Sequence, residues 1–201
     1  KTLLPAAYFT IMGDVSQNIN YETGMNDWYE LQKLFLTGPR DRFLLLQKSY
    51  RNTIEISEYA GKILERASSG RYKITPVIRH GLPVQENHFR GEAELVEYTA
   101  SLMEENRKKG FLTSAVICPS ETDADRVRAL LSADLSVNEK GSQDFSAGLS
   151  VLPIRLVKGL EFDTVILWNP DLKAMLSRPD QAKLLYVAAT RALHELHVLT
   201  C

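Results

Sequence analysis

The chain has 201 residues, 44% hydrophobic and 24% charged, with 24 Lys plus Arg against 25 Asp plus Glu and a net charge of -1. That profile describes a globular protein of one large domain or one and a half ordinary ones, and the charge balance excludes nucleic-acid binding through a generally basic surface; any such surface must be local. Two widely separated cysteines, Cys118 and Cys201, exclude a disulfide framework and favour a reducing, cytoplasmic setting, and with no stretch of transmembrane length and no signal peptide, no membrane partner is expected.

Taken in order, residues 7–12 (AYFTIM) read as a short buried strand running into a polar turn at 13–18. The abrupt opening before it reads as a boundary inside a longer protein. Trp28, Leu31, Leu34 and Phe35 repeat at helical spacing and predict an amphipathic helix over 26–36, stopped by Thr37-Gly38-Pro39. Residues 43–46 predict a strand. Asn52 with Glu55 three residues on reads as a capping box, opening a helix with Ile56, Tyr59, Ala60, Ile63 and Leu64 on one face. Short strands are expected at 74–79 and 84–89. A helix follows over 92–107, with Leu95, Val96, Leu102 and Met103 inward and a Lys108-Lys109-Gly110 ending that suits a helix C-terminus.

Residues 114–118 predict a buried strand, with Cys118 a buried thiol. Ser120 caps a helix that turns Ala124, Val127, Leu130 and Leu131 inward. After a loop or weak strand over 134–148, residues 149–168 (LSVLPIRLVKGLEFDTVILW) read as two buried strands joined across a polar loop. An irregular connection over 169–179, a helix over 181–193 and a last strand over 194–199 complete the chain. Alternating strands and helices indicate an α/β fold, a mainly parallel sheet with helices on both faces.

Four polar clusters fall at element junctions: GDVSQNI at 13–19, QKSYRNT at 47–53, VKGLEFD at 157–163 and LYVAATRA at 185–192. Strand ends on one edge of a parallel sheet converge on a crevice. Together the clusters offer Arg51, Arg191, Lys158, Gln17 and Tyr50, a set that suits a polyphosphate with a stacking base. Taken singly, each has a plainer reading. KGLE is a tight loop with solvated charges, Arg51 a surface ion pair, Arg191 a helix C-terminal cation, Gln17 a turn residue and Tyr50 core packing. The histidines His80, His88, His194 and His197 show no metal-ligand spacing, and no metal site is read in the chain.

In this order the clusters resemble motifs III (GDxxQSI), IV (Q-x-YR-ST type), V (KGLEF) and VI (YVAxTRA) of UvrD/Rep-type superfamily 1 helicases, from one end of the chain to the other. The resemblance implies a RecA-like, P-loop NTPase-type fold. Residues 1–25 would be the tail of a first RecA-like lobe and 26–201 the second lobe, which shares ATP and Mg2+ with its own N-terminal lobe. No G-x-x-x-x-G-K-[ST] phosphate loop occurs, so the fragment alone is expected to be inactive and the metal ligands to lie upstream. By the same resemblance, Arg51 and Arg191 touch the γ-phosphate and Gln17 senses it. Tyr50 stacks on adenine, the Gly159 amide faces phosphate, and Glu161 accepts from the ribose hydroxyls.

The departures lie in the half that faces nucleic acid. The aromatic that follows motif III falls on Glu22, with Tyr21 adjacent, and the strand-facing positions of motif V hold Pro153 and Arg155. Tyr21 and Arg155 are the candidate contacts to single-stranded or duplex DNA. The large insertion of UvrD and Rep between motifs IV and V is absent. These features resemble the HelD-like branch, whose members act on RNA polymerase. The alternatives are a DNA-unwinding repair helicase and a non-catalytic module that has kept the helicase fold.

Overall fold

A computed structural model of the chain describes residues 8–20, 27–46, 48–68, 75–76, 79–141, 145 and 147–201. Five parallel strands form the main sheet: β3 (Gln85–His88), β4 (Thr113–Cys118), β5 (Gly148–Pro153), β6 (Phe162–Trp168) and β7 (Ala192–Thr200), in the order β3-β7-β6-β4-β5. β1 (Lys48–Ser49) and β2 (Thr75–Pro76) pair in parallel beside it. The helices are α1 (Tyr29–Phe35), α2 (Ile54–Ser68), α3 (Glu92–Lys109), α4 (Glu121–Leu131), α5 (Leu172–Leu176) and α6 (Pro179–Ala189).

The period of two along each central strand supplies both faces of the sheet. Ala115, Ile117, Val165, Leu167, Leu196 and Val198 pack under α2, α5 and α6, while Val116, Cys118, Ile166, Trp168 and Leu199 pack under α3 and α4. This is the expected α/β architecture with helices on both faces. α6 is apolar nearly all round, as a helix must be when α2, α5 and the sheet surround it. Ser120 Oγ accepts from Asp123 N at 3.1 Å, and Gly110, at φ 78°, ends α3, both as expected.

Several expectations are corrected. Residues 8–12 and 43–46 form no strand; Met12 is 87% exposed and Leu46 93%. Their hydrophobicity signals a need for cover, but among the described residues no strand edge pairs with them. Asn52 does not cap α2. Thr53 does, its carbonyl accepting from Ser57 N at 3.0 Å, while Asn52 bonds elsewhere. Leu34 and Leu130 face outward. The fourth cluster is only partly within a helix: Leu185–Ala189 end α6, while Thr190 and Arg191 turn into β7, which begins at Ala192, with Phe162 N paired to Arg191 O at 3.0 Å. β5 and β6 are not neighbours; each pairs with β4.

Candidate nucleotide site at the amino edge of the sheet

β6 and β7 start side by side, Phe162 opposite Ala192, so Glu161 and Arg191 emerge together at the amino-terminal edge of the sheet. The connection between β5 and β6 explains this edge: it leaves the carboxyl edge at Pro153, buries Ile154 and Val157 on the α6 face, and returns to the opposite edge before Glu161.

The other two clusters are tied to this edge by long-range bonds. Asn52 Nδ2 donates to Thr190 O at 3.1 Å and to Ala192 O at 2.5 Å. Arg79 Nη2 donates to Arg51 O at 2.9 Å and also to Leu193 O. These bonds seat the loop carrying Arg51 against the start of β7. The first cluster forms a 3-10 turn, Val15–Gln17, whose cap is Asp14: its Oδ1 accepts from Ser16 N at 2.9 Å. The buried Lys183 of α6 donates from Nζ to Val15 O at 3.2 Å and so fixes that turn to the helix.

Gln17, Arg51, Glu161 and Arg191 therefore meet. Arg51 Nε lies 2.6 Å from Glu161 Oε1, both side chains about half exposed. Arg191 is 1% exposed, and among the described residues every acceptor it holds is neutral: Val187 O at 2.9 Å, Leu160 O at 3.2 Å, Thr190 Oγ1 at 3.1 Å and Gln17 Oε1 at 3.5 Å. Burial, and then the neighbouring Arg51, lower the pKa of Arg191, against the opposing charges of Glu161 and Asp14. Gln17 completes a chain by donating from Nε2 to Asp14 Oδ2 at 2.6 Å. Burial also raises the Tyr186 hydroxyl and lowers the Lys183 ammonium, the latter opposed by Asp14.

The remaining predicted residues are less closely held. Tyr50 is 73% exposed at the end of β1, so the packing explanation for it fails. Gly159 has φ 85° in a tight turn closed by Leu160 N to Val157 O at 3.1 Å; that conformation, rather than crowding, calls for glycine, since an added Cβ would meet nothing. Arg155 is exposed, and it follows the carboxyl end of β5, away from this cluster. Tyr21 lies outside the described residues. Among the described residues no group of three His, Cys, Asp or Glu side chains could hold a metal ion, and no helix is long and apolar enough to cross a membrane.

Sequence reasoning misread Asn52 as a helix cap and missed Arg79 and Lys183. Of the latter two, only Lys183 left a local signal, a cation three and four positions before Tyr186 and Val187 on the inward face of α6.

Residues 148–199 match the family of the UvrD-like helicase C-terminal domain. Among solved structures, the chain is similar to the C-terminal domain of a possible DNA helicase from Lactobacillus plantarum WCFS1, with 27% identity, 76% of this chain and 87% of that chain covered, and a TM-score of 0.62. A fainter likeness to the PRRSV helicase, at 15% identity and a TM-score of 0.38 over 77% of this chain and 23% of that one, carries no argument. No curated protein matches. The chain is thus similar to UvrD-like helicase C-terminal domains over residues 148–199, and to a helicase C-terminal domain over most of its length.

Proposed function

We propose that the chain is the C-terminal motor lobe of an ATP-dependent helicase or translocase, and that it completes an ATP site shared with an N-terminal RecA-like lobe. The observation that carries this reading is Arg191. Its buried guanidinium has only neutral acceptors, no carboxylate is bonded to it among the described residues, and Arg51 is brought alongside. A buried cation bonded to no carboxylate is costly, and a second cation beside it adds repulsion that the charges of Glu161 and Asp14 only oppose. An anionic ligand relieves both.

In this reading Arg51 and Arg191 stabilise charge on the transferring γ-phosphoryl group, an effect worth about 10³ to 10⁵ in rate for such arginines. Gln17, bonded to both Asp14 and Arg191, senses the γ-phosphate. Tyr50 stacks on the adenine, the Gly159 amide faces phosphate, and Glu161 exchanges Arg51 for the ribose hydroxyls. Residues 1–25 end the first lobe and 26–201 form the second, with Lys183 fastening one to the other through Val15. Mg2+ would be held by acidic residues of the first lobe. The setting is cytoplasmic, and Arg155 and Tyr21 are the candidate contacts to nucleic acid.

A second reading assigns the same motor to the HelD-like branch, acting on RNA polymerase. Pro153 and Arg155, at the positions where superfamily relatives face the DNA strand, favour it. The similar domain described as part of a possible DNA helicase favours the first.

The test is Arg191→Ala in the full-length protein. ATP turnover is expected to fall by at least about 10³-fold while the unfolding transition stays cooperative. Unchanged turnover removes Arg191 from the site. Turnover stimulated by single-stranded DNA without polymerase binding excludes the HelD-like reading.

A further inference from the structure

The two arginines come from loops far apart in the chain, and something must hold their relative position. We propose that Asn52 is the positioning residue of the two-arginine site, with Arg79 as its outer partner. This rests on the reading of Arg51 and Arg191 given above.

Asn52 is adjacent to Arg51 and only 4% exposed. Its single amide nitrogen donates to Thr190 O and Ala192 O, the two carbonyls that flank Arg191. The amide thus brackets one arginine in space while standing next to the other in sequence. Arg79 repeats the connection on the solvent side, from Arg51 O to Leu193 O, and its own carbonyl accepts from Ile54 N at 2.9 Å. The 51–54 loop is therefore stitched to residues 190–193 at both its inner and its outer side.

A side chain used only for helix capping would bond its own helix, and Thr53 already does that work. Its hydroxyl accepts from Ile56 N at 3.4 Å. A carboxylate at position 52 would set an anion against two carbonyl oxygens, and an alanine would leave both without this donor. Neither Asn52 nor Arg79 touches a nucleotide in this reading. They fix the separation of two guanidinium groups that must converge on one phosphoryl group, where a misplacement of about 1 Å costs on the order of 10²-fold in rate.

The experiment compares the full-length protein with its Asn52→Ala and Arg79→Gln variants, reading kcat, KM for ATP, and the affinities for ADP and for ADP–aluminium fluoride. ADP lacks the γ-phosphate, whereas the fluoride complex mimics the transferring group. Positioning predicts that ADP affinity and KM stay within about twofold while kcat and fluoride-complex affinity fall together by about 10- to 10²-fold. Arg79→Gln is an exposed change that spares the core; it is expected to show the same selective loss at smaller size, and it decides the matter if Asn52→Ala does not fold. Equal weakening of both ligands, or no change in either, overturns the proposal. Parallel measurement of Arg191→Ala separates the two levels. If that variant is inactive while the Asn52 and Arg79 variants are normal, the positioning role fails and the site stands; if it turns over ATP normally, the site itself fails.

Discussion

Arg51 Nε and Glu161 Oε1 lie 2.6 Å apart, joining the second polar cluster to the third across the sheet edge. Both side chains remain about half in solvent, so the pair keeps much of its hydration and is easily exchanged. Glu161→Gln is accordingly expected to change the unfolding free energy by less than about 1 kcal/mol, measured by urea denaturation. A loss above about 2 kcal/mol would mark the pair as a structural tie, too costly for a ligand to break.

Lys183 offers the opposite case, a cation sealed inside α6 that serves the Val15–Gln17 turn. Lys183→Met keeps the volume and removes a buried charge, so global stability should hold or rise. The turn loses its tether, and the Gln17 and Asn18 amides, bonded to Asp14 O and Val15 O at a long 3.3 Å, should exchange faster with deuterium. Unchanged exchange at those amides would show that the turn does not depend on α6.

Glu55 predicts an acid-side signature. The hydrogen bond from His80, followed by those from its own amide and from Gly81, holds its carboxyl at about 2, below the ordinary 4.5. A carboxyl depressed in the folded state contributes stability that is fully present above pH 4.5 and lost as pH falls towards about 2. The stability gap between the protein and Glu55→Gln should therefore be present at pH 4.5 and close between about 4.5 and 2 in a urea series. A gap that persists at pH 2 would assign the effect to something other than ionisation.

The central strands were legible because β4, β6 and β7 need apolar residues on both faces, and a run such as TVILW can do little else. The same signal misled at 8–12 and 43–46, since an apolar run states that cover is needed but not what supplies it. The four clusters were legible as a set, but their edge was not. A loop before a strand and a loop after one look alike in sequence, and only the return of residues 154–161 across the sheet decides which edge Glu161 occupies. Asn52 was misread because Asn with Glu three residues on is a sound local pattern, while its partners, Thr190 and Ala192, lie 138 and 140 residues away.

Cys118 was placed correctly, and its chemistry follows from that placement. It ends β4 with no exposure, packed among Leu95, Val127 and Trp168 on the α3–α4 face. Burial pushes its thiol up to about 12, with Asp123 adding to the shift against Arg126 and Arg128. Since the thiolate is the nucleophile, Cys118 should resist iodoacetamide at pH 8 while the exposed Cys201 is modified. Peptide mapping by mass spectrometry reads the two sites separately. Adding urea to the unfolding midpoint should bring Cys118 labelling up in step with loss of structure, because the thiol gains access to reagent only when α3 and α4 leave the sheet. Rapid native labelling of Cys118 would mean that this face opens locally, well below the cost of global unfolding.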